Sequence, residues 1–123
     1  MNHILSVGQC AADHSRILET IGGHYEVEIR TSDSHEDAVI QIQNTAFDLV
    51  LINRILDRTH TAGIDLIKEL KSSPATEAVP VMLVSNFDDA QSEAVSAGAV
   101  PGFGKATLSE DPTFKLLDEY LLM

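Results

Sequence analysis

"FDLVLIN", residues 47–53, decides how this chain is read. Leu49 to Ile52 are apolar without a break, so neither face of this run can meet water. Such a strand belongs in the middle of a parallel sheet covered by helices on both sides. It halts on Asn53, at the carboxyl end where open α/β sheets place their ligands.

Outward from this run the same rhythm continues. Short apolar runs stand at "ILSV" (4–7), "YEVEI" (25–29) and "VPVMLV" (79–84), with a weaker one at "AVPGF" (99–103). Between and after them lie amphipathic stretches of helical length, near 11–21, 34–45, 64–72, 88–97 and 111–122. Strands alternating with helices predict a doubly wound α/β domain around a five-stranded parallel sheet. "VPVMLV", like the opening run, is apolar on both faces and predicts a central strand. "YEVEIR" alternates Tyr25, Val27 and Ile29 with Glu26, Glu28 and Arg30, which fits an edge. Pro101, Gly102 and Gly104 put the last run at the other edge. The flavodoxin-like order 2-1-3-4-5 follows.

Helix punctuation agrees. Gly22-Gly23 closes the first helix and Gly98 the fourth, Ser34 with Asp37 makes a capping pattern for the second, and Lys71 sits in the last turn of the third. Asp111-Pro112 reads as N-cap and first residue of the fifth, whose Phe114, Leu117 and Leu121 form the stripe facing the sheet. Leu116 and Tyr120 form a second, partly exposed stripe.

The chain of 123 residues suits a single domain, 1–123, and its 44% hydrophobic content places it among ordinary globular proteins. No apolar run is long enough to span a bilayer, and the opening "MNHILSVGQC" lacks the basic start of a secretory signal. The lone Cys10 cannot form an internal disulfide, which agrees with a cytoplasmic location. A net charge of −11, from 19 acidic and 8 basic residues, opposes binding to nucleic acid or anionic membranes. His3, His14, His24, His35 and His60 show no metal-ligand spacing, so no metal site and no cofactor are expected.

The strand ends bounding the crevice carry Gly8 and Gln9, Asn53, Ser85 with Asn86, and Lys105. On these residues the chain resembles the receiver domains of two-component response regulators over its full length. "FDLVLIN" is similar to the strand that ends in the family's phosphoacceptor aspartate, "VPVMLVS" to the strand ending in its hydroxyl residue, here Ser85, and "AGAVPGFGK" to the stretch leading to its lysine, here Lys105. The departures matter as much. The resemblance implies two acidic residues after the first strand, and Gly8 and Gln9 stand there; it implies an aspartate where Asn53 stands. Its switch aromatic falls on Gly102, with Phe103 one place along, and the proline after the lysine is Ala106. The loop from Asn53 to Gly63 is longer than in the family, and the stretch from Ser85 to Lys105 shorter.

Phosphoryl transfer to a carboxylate needs that carboxylate as nucleophile and a metal to neutralise the oxygens. Asn53 is not such a nucleophile, and Gly8, Gln9 and Asn53 offer magnesium no anionic ligand. With the carboxylates gone and Lys105 retained beside Arg54 and Arg58, the expected pocket is neutral to positive, and Asn53 is placed to accept a hydrogen bond from Lys105. Plainer roles stand beside these. Asn53 can be a polar strand end satisfying nearby backbone, Ser85 and Lys105 its structural companions, and Arg54 and Arg58 a solvated loop pairing with Asp57.

The reading is a degenerate receiver, not an enzyme: a signalling module of phosphorelay type, independent of phosphorylation, that acts through contacts with a histidine kinase, a regulator or a second copy of itself. A weak homodimer through Phe103, Leu116 and Tyr120 is expected. Arg54 and Arg58 are the candidate anion contacts of the alternative, a small-anion or ligand sensor; the other alternative is a receiver phosphorylated at another acceptor, with Asp57 as one candidate. No output domain follows the fifth helix, so the chain is expected to be either a stand-alone adaptor or a piece of a larger regulator.

Overall fold

The computed structural model describes residues 1–122, and Met123 lies outside them. Strands β1 (Asn2–Val7), β2 (Val27–Ser32), β3 (Leu49–Asn53), β4 (Val81–Val84) and β5 (Val100–Phe103) alternate with helices α1 (Ala11–Gly22), α2 (His35–Asn44), α3 (Gly63–Ser72), α4 (Asp88–Ser96) and α5 (Asp111–Asp118). The sheet has the predicted order β2-β1-β3-β4-β5, parallel at every pairing.

The period-two geometry of strands sorts the apolar residues into two cores. Leu5, Val7, Val50, Ile52, Val81 and Leu83 face α2, α3 and α4, where Ala38, Ile42, Leu66, Ile67, Leu70 and Ala94 meet them. Ile4, Leu49, Leu51, Met82, Val84 and Phe103 face α1 and α5, against Ile17, Ile21 and Leu117. The unbroken apolar run of β3 is thus divided between both faces. That is what its composition requires.

Some boundaries differ from the sequence reading. Tyr25 does not open β2, because its N–H still bonds the carbonyl of Ile21 at 2.9 Å and so belongs to the end of α1. The side chain is buried, and its hydroxyl donates to Asp118 Oδ1 at 2.6 Å, clamping α5 to the β2 edge. Helix α5 starts from Glu110 rather than Asp111 as N-cap, and it stops at Asp118 instead of running to 122. Beyond it Asn2 takes hold of the chain: its side-chain amide donates to the Leu122 carbonyl at 2.6 Å and accepts from the Leu122 N–H at 2.8 Å. Ser34 caps α2 as predicted, accepting from the Asp37 N–H at 3.1 Å. The Asp37 carboxylate turns instead to the Ser32 hydroxyl at 2.6 Å, and this bond, with a second from Gln41, holds its pKa below the ordinary value.

The β4–β5 pairing contains a register shift between Met82 and Val84. One side chain closes it. Gln91 of α4 donates to the carbonyls of Leu83, Ser85 and Phe103 at 2.9, 3.1 and 3.3 Å, and its oxygen accepts the Gly102 N–H at 3.2 Å. Gly102 is needed here, since a Cβ would run into the Leu83 carbonyl oxygen.

Candidate functional site

Strand ends β3 and β4 and the turn after β5 bring Asn53, Ser85, Asn86 and Lys105 to one cavity of about 270 Å3, also lined by Arg54 and Phe87. The side chains of Asn53, Ser85 and Asn86 are each bonded to backbone. The Asn53 amide nitrogen donates to the Gly8 carbonyl at 3.0 Å, and its oxygen accepts the Arg54 N–H at 3.1 Å. Ser85 Oγ accepts the Phe87 N–H at 3.1 Å, and Asn86 Oδ1 accepts the Ala106 N–H at 3.0 Å. Asn53 therefore plays the plainer of its two roles, tying the end of β3 to the residue after β1.

Lys105 does not reach Asn53, contrary to the expectation from sequence. Its ammonium lies 2.6 Å from Asp13 Oδ2, in the first turn of α1. The hydrogen bond from Lys105 holds the Asp13 carboxyl below its ordinary pKa against the opposing effect of burial, with Cys10, and Arg16 at longer range, helping. The carboxylate that offsets Lys105 is supplied by a helix rather than by a strand end, and it is not among the residues lining the Asn53 cavity. The signal for it in the sequence is an acidic residue at the start of the helix that follows β1. A residue there stands over the carboxyl end of the sheet.

The two arginines, both exposed, have different neighbours. Arg54 lies over the Phe87 ring, 5.0 Å from its centre, where cation and ring attract. Arg58 pairs with Asp33 at 3.7 Å, not with Asp57.

Leu56 is the decisive residue that sequence reasoning passed over. The long β3–α3 loop folds back on itself through a bridge between Ile55 and Ala62, and this drives Leu56 fully into the core. Leu56 sits directly above Gly8, where a Cβ would lie 2.5 Å from Leu56 Cγ and 2.8 Å from Leu56 Cα. Gly8 also adopts φ +75°, a conformation that side chains disfavour. Its carbonyl takes two donors, Asn53 Nδ2 and the Asp57 N–H. Leu56 thus leaves no room at position 8 for the acidic side chain that the family resemblance implies for magnesium, and the Gly8 carbonyl and the Asn53 oxygen are neutral and already bonded. These residues do not fit the ion. Among the described residues no group of three or more His, Cys, Asp or Glu side chains could hold a metal. Two apolar residues, Ile55 and Leu56, inside an otherwise polar loop were the available sign that this loop packs down.

Gln9 is separated from the Asn53 pocket and lines a different cavity, at the ends of β1 and β2. Of the three residues expected on an interaction face, Leu116 and Tyr120 are half-buried against the α1–α5 core, whereas Phe103 is buried in it and is withdrawn from that face. Phe103 packs into the α1–α5 core, whereas Gly102 beside it lies against Leu83 and Gln91.

No family model matches the chain, and no curated protein matches it in sequence. Solved structures do. A candidate response regulator from Chloroflexus aurantiacus superposes with a TM-score of 0.82 at 19% identity, over 95% of each chain. The receiver domain of NtrX from Brucella abortus gives 0.80 at 21% identity, over 96% of this chain and 97% of that one. The chain has the receiver fold. It spans 27% of the longer NtrX chain from the same organism, at a TM-score of 0.80 and 22% identity. Likeness at this level of identity is one of fold. What this receiver-fold chain lacks is equally definite: no carboxylate at position 53, no room for one at position 8, and a lysine already paired. No helix among the described residues is long and apolar enough to cross a membrane.

Proposed function

We propose that this chain is a signalling module of response-regulator type that works without phosphorylation and without catalysis, through contacts with another protein: a histidine kinase, a regulator or a second copy. The observation that carries this reading is the Lys105–Asp13 pair. In the receiver resemblance that lysine serves the phosphoryl site. Here its charge is paired with Asp13 instead, which supports a pocket that no longer serves a phosphoryl group.

Support also comes from the surface. Val95 is 44% exposed, and it lines a shallow cavity with Gln91, Ser92, Pro101 and Gly102 between α4 and β5. Leu116 and Tyr120 lie half-buried on α5, and Leu122 is 81% exposed. Apolar residues beside acidic Glu110, Asp118 and Glu119 suit a modest interface with a partner of complementary charge. Gln91 stitches β4 to β5, which supports a face held in one arrangement.

The experiment is incubation with acetyl phosphate and magnesium followed by intact-mass analysis, in parallel with partner capture from the source cells with and without the phosphodonor. Expected is no mass gain of one phosphoryl group, and the same partner recovered under both conditions. A stoichiometric gain on any aspartate, Asp57 included, would overturn the reading.

A further inference from the structure

Four buried side-chain polar atoms among the described residues have no hydrogen-bond partner: Ser6 Oγ, both amide atoms of Gln9, and His14 Nδ1. All belong to three residues that line one cavity of about 310 Å3, beneath the start of α1 at the ends of β1 and β2. Buried polar groups without partners are rare and costly, and several converging on one cavity indicate that something polar completes them. Ser6 is 2% exposed and lies on the α1 side of β1, in register with Thr31 on β2. It has no reason to be a serine there unless its hydroxyl is used.

The walls carry charge of both signs. Cys10 stands at the N-cap of α1 and its side chain accepts no bond from the backbone N–H groups of the first turn, beside Ala11 on the cavity wall. The one carboxylate of that turn, Asp13, is committed to Lys105. Asp57, which also lines the cavity, has no ion pair among the described residues, while Asp33 and Arg58 offset each other. The lining therefore combines an electropositive helix start and an unpaired carboxylate with an amide, a hydroxyl and an imidazole.

We propose that this cavity binds a small zwitterion of the amino-acid class, with its carboxylate toward the start of α1, its ammonium toward Asp57, and its remaining polar atoms on Gln9, Ser6 and His14. A neutral polyol would satisfy the amide, hydroxyl and imidazole and leave the helix start and Asp57 unused, and an inorganic anion would face the uncompensated Asp57. At ~30 Å3 of liquid volume per water, the cavity holds about ten waters or a molecule of about that many heavy atoms, which is the size of a free amino acid. The site is separate from the Asn53 pocket and stands or falls independently of the signalling role.

The test is NMR titration of isotope-labelled protein, in a buffer free of zwitterions, with each common amino acid, and with inorganic phosphate and glucose as the other arms. Expected is saturable movement of the Gln9 side-chain amide and His14 ring signals by at least one amino acid at millimolar concentration, with Ser85 and Lys105 unmoved. Gln9→Leu should weaken that binding by about tenfold or more. Ser6→Ala serves the same purpose if the first variant does not fold. No response to any amino acid, saturation by phosphate or glucose instead, or full affinity in a folded variant would each overturn the proposal.

Discussion

Lys105 and Asp13 meet at 2.6 Å across the carboxyl end of the sheet, with 27% and 23% of their side chains exposed. The pair joins the turn after β5 to the first turn of α1, two segments 92 residues apart in sequence. Arg16 strengthens the same junction by donating to the Lys105 carbonyl at 3.2 Å.

Removing one partner should cost more than removing both. The pair lies between the exposed and the fully buried cases, so Asp13→Asn or Lys105→Met should each destabilise by about 1–2 kcal/mol, with the double variant well below the sum. Because the Asp13 pKa is lowered in the folded state, its contribution is complete above the ordinary value of 3.8 and is lost as pH falls through the lowered folded value. Denaturant unfolding at neutral pH and at successively more acid pH should show the Asp13→Asn difference shrinking in that acid window.

Rebuilding the phosphosite should fail at Gly8 before it fails anywhere else. Gly8→Asp forces a side chain into φ +75° and against Leu56, and should destabilise by about 2–4 kcal/mol. Asn53→Asp alone should fold, yet bind no magnesium at millimolar levels and gain no phosphoryl group. Melting curves with and without magnesium, together with intact mass, decide both.

Gln91 should prove to be the lock of the β4–β5 edge. Gln91→Leu leaves the Leu83 carbonyl and the Gly102 N–H without this partner and should cost about 1–3 kcal/mol. Relaxation-dispersion NMR should be quiet along β5 in the wild type and show exchange in the variant; strong wild-type exchange at Ser85 and β5 would contradict a fixed face.

Tyr25 should govern alkaline stability. Burial, with the Asp118 carboxylate accepting its hydroxyl, raises the phenol well above its ordinary 10.0, so the neutral form is favoured in the fold. Its contribution is whole below pH 10.0 and declines as pH rises from there toward the folded value. Tyr25→Phe should destabilise at neutral pH by about 1–2 kcal/mol and flatten the decline above that point, as followed by circular dichroism.

Any self-association should tighten as salt rises, because a net charge of −11 opposes it at low ionic strength. Sedimentation at low and high salt should show a dimer weakened by Tyr120→Glu. A dimer indifferent to that substitution places the interface away from α5.

By itself the sequence determined the sheet order, the helix count and the positions of the strand ends, because these follow from local periodicity and composition. An apolar run such as Leu49–Ile52 has one stable home, and glycine or proline in the last run restricts it to an edge. It also determined what position 53 is not: an asparagine cannot act as the acyl-phosphate acceptor wherever it sits. Only the tertiary structure decided which groups meet. Asp13, Leu56 and Gln91 look like ordinary helix and loop residues, and their roles depend on contacts with Lys105, Gly8 and the β4–β5 shift, all distant in the chain. Such contacts are set by how the long β3–α3 loop folds back and by where a helix start lands over the sheet. Side-chain pairing across loops carries no periodic signature in sequence, so the emptied pocket could be foreseen from Asn53, and the pairing of Lys105 with Asp13 could not.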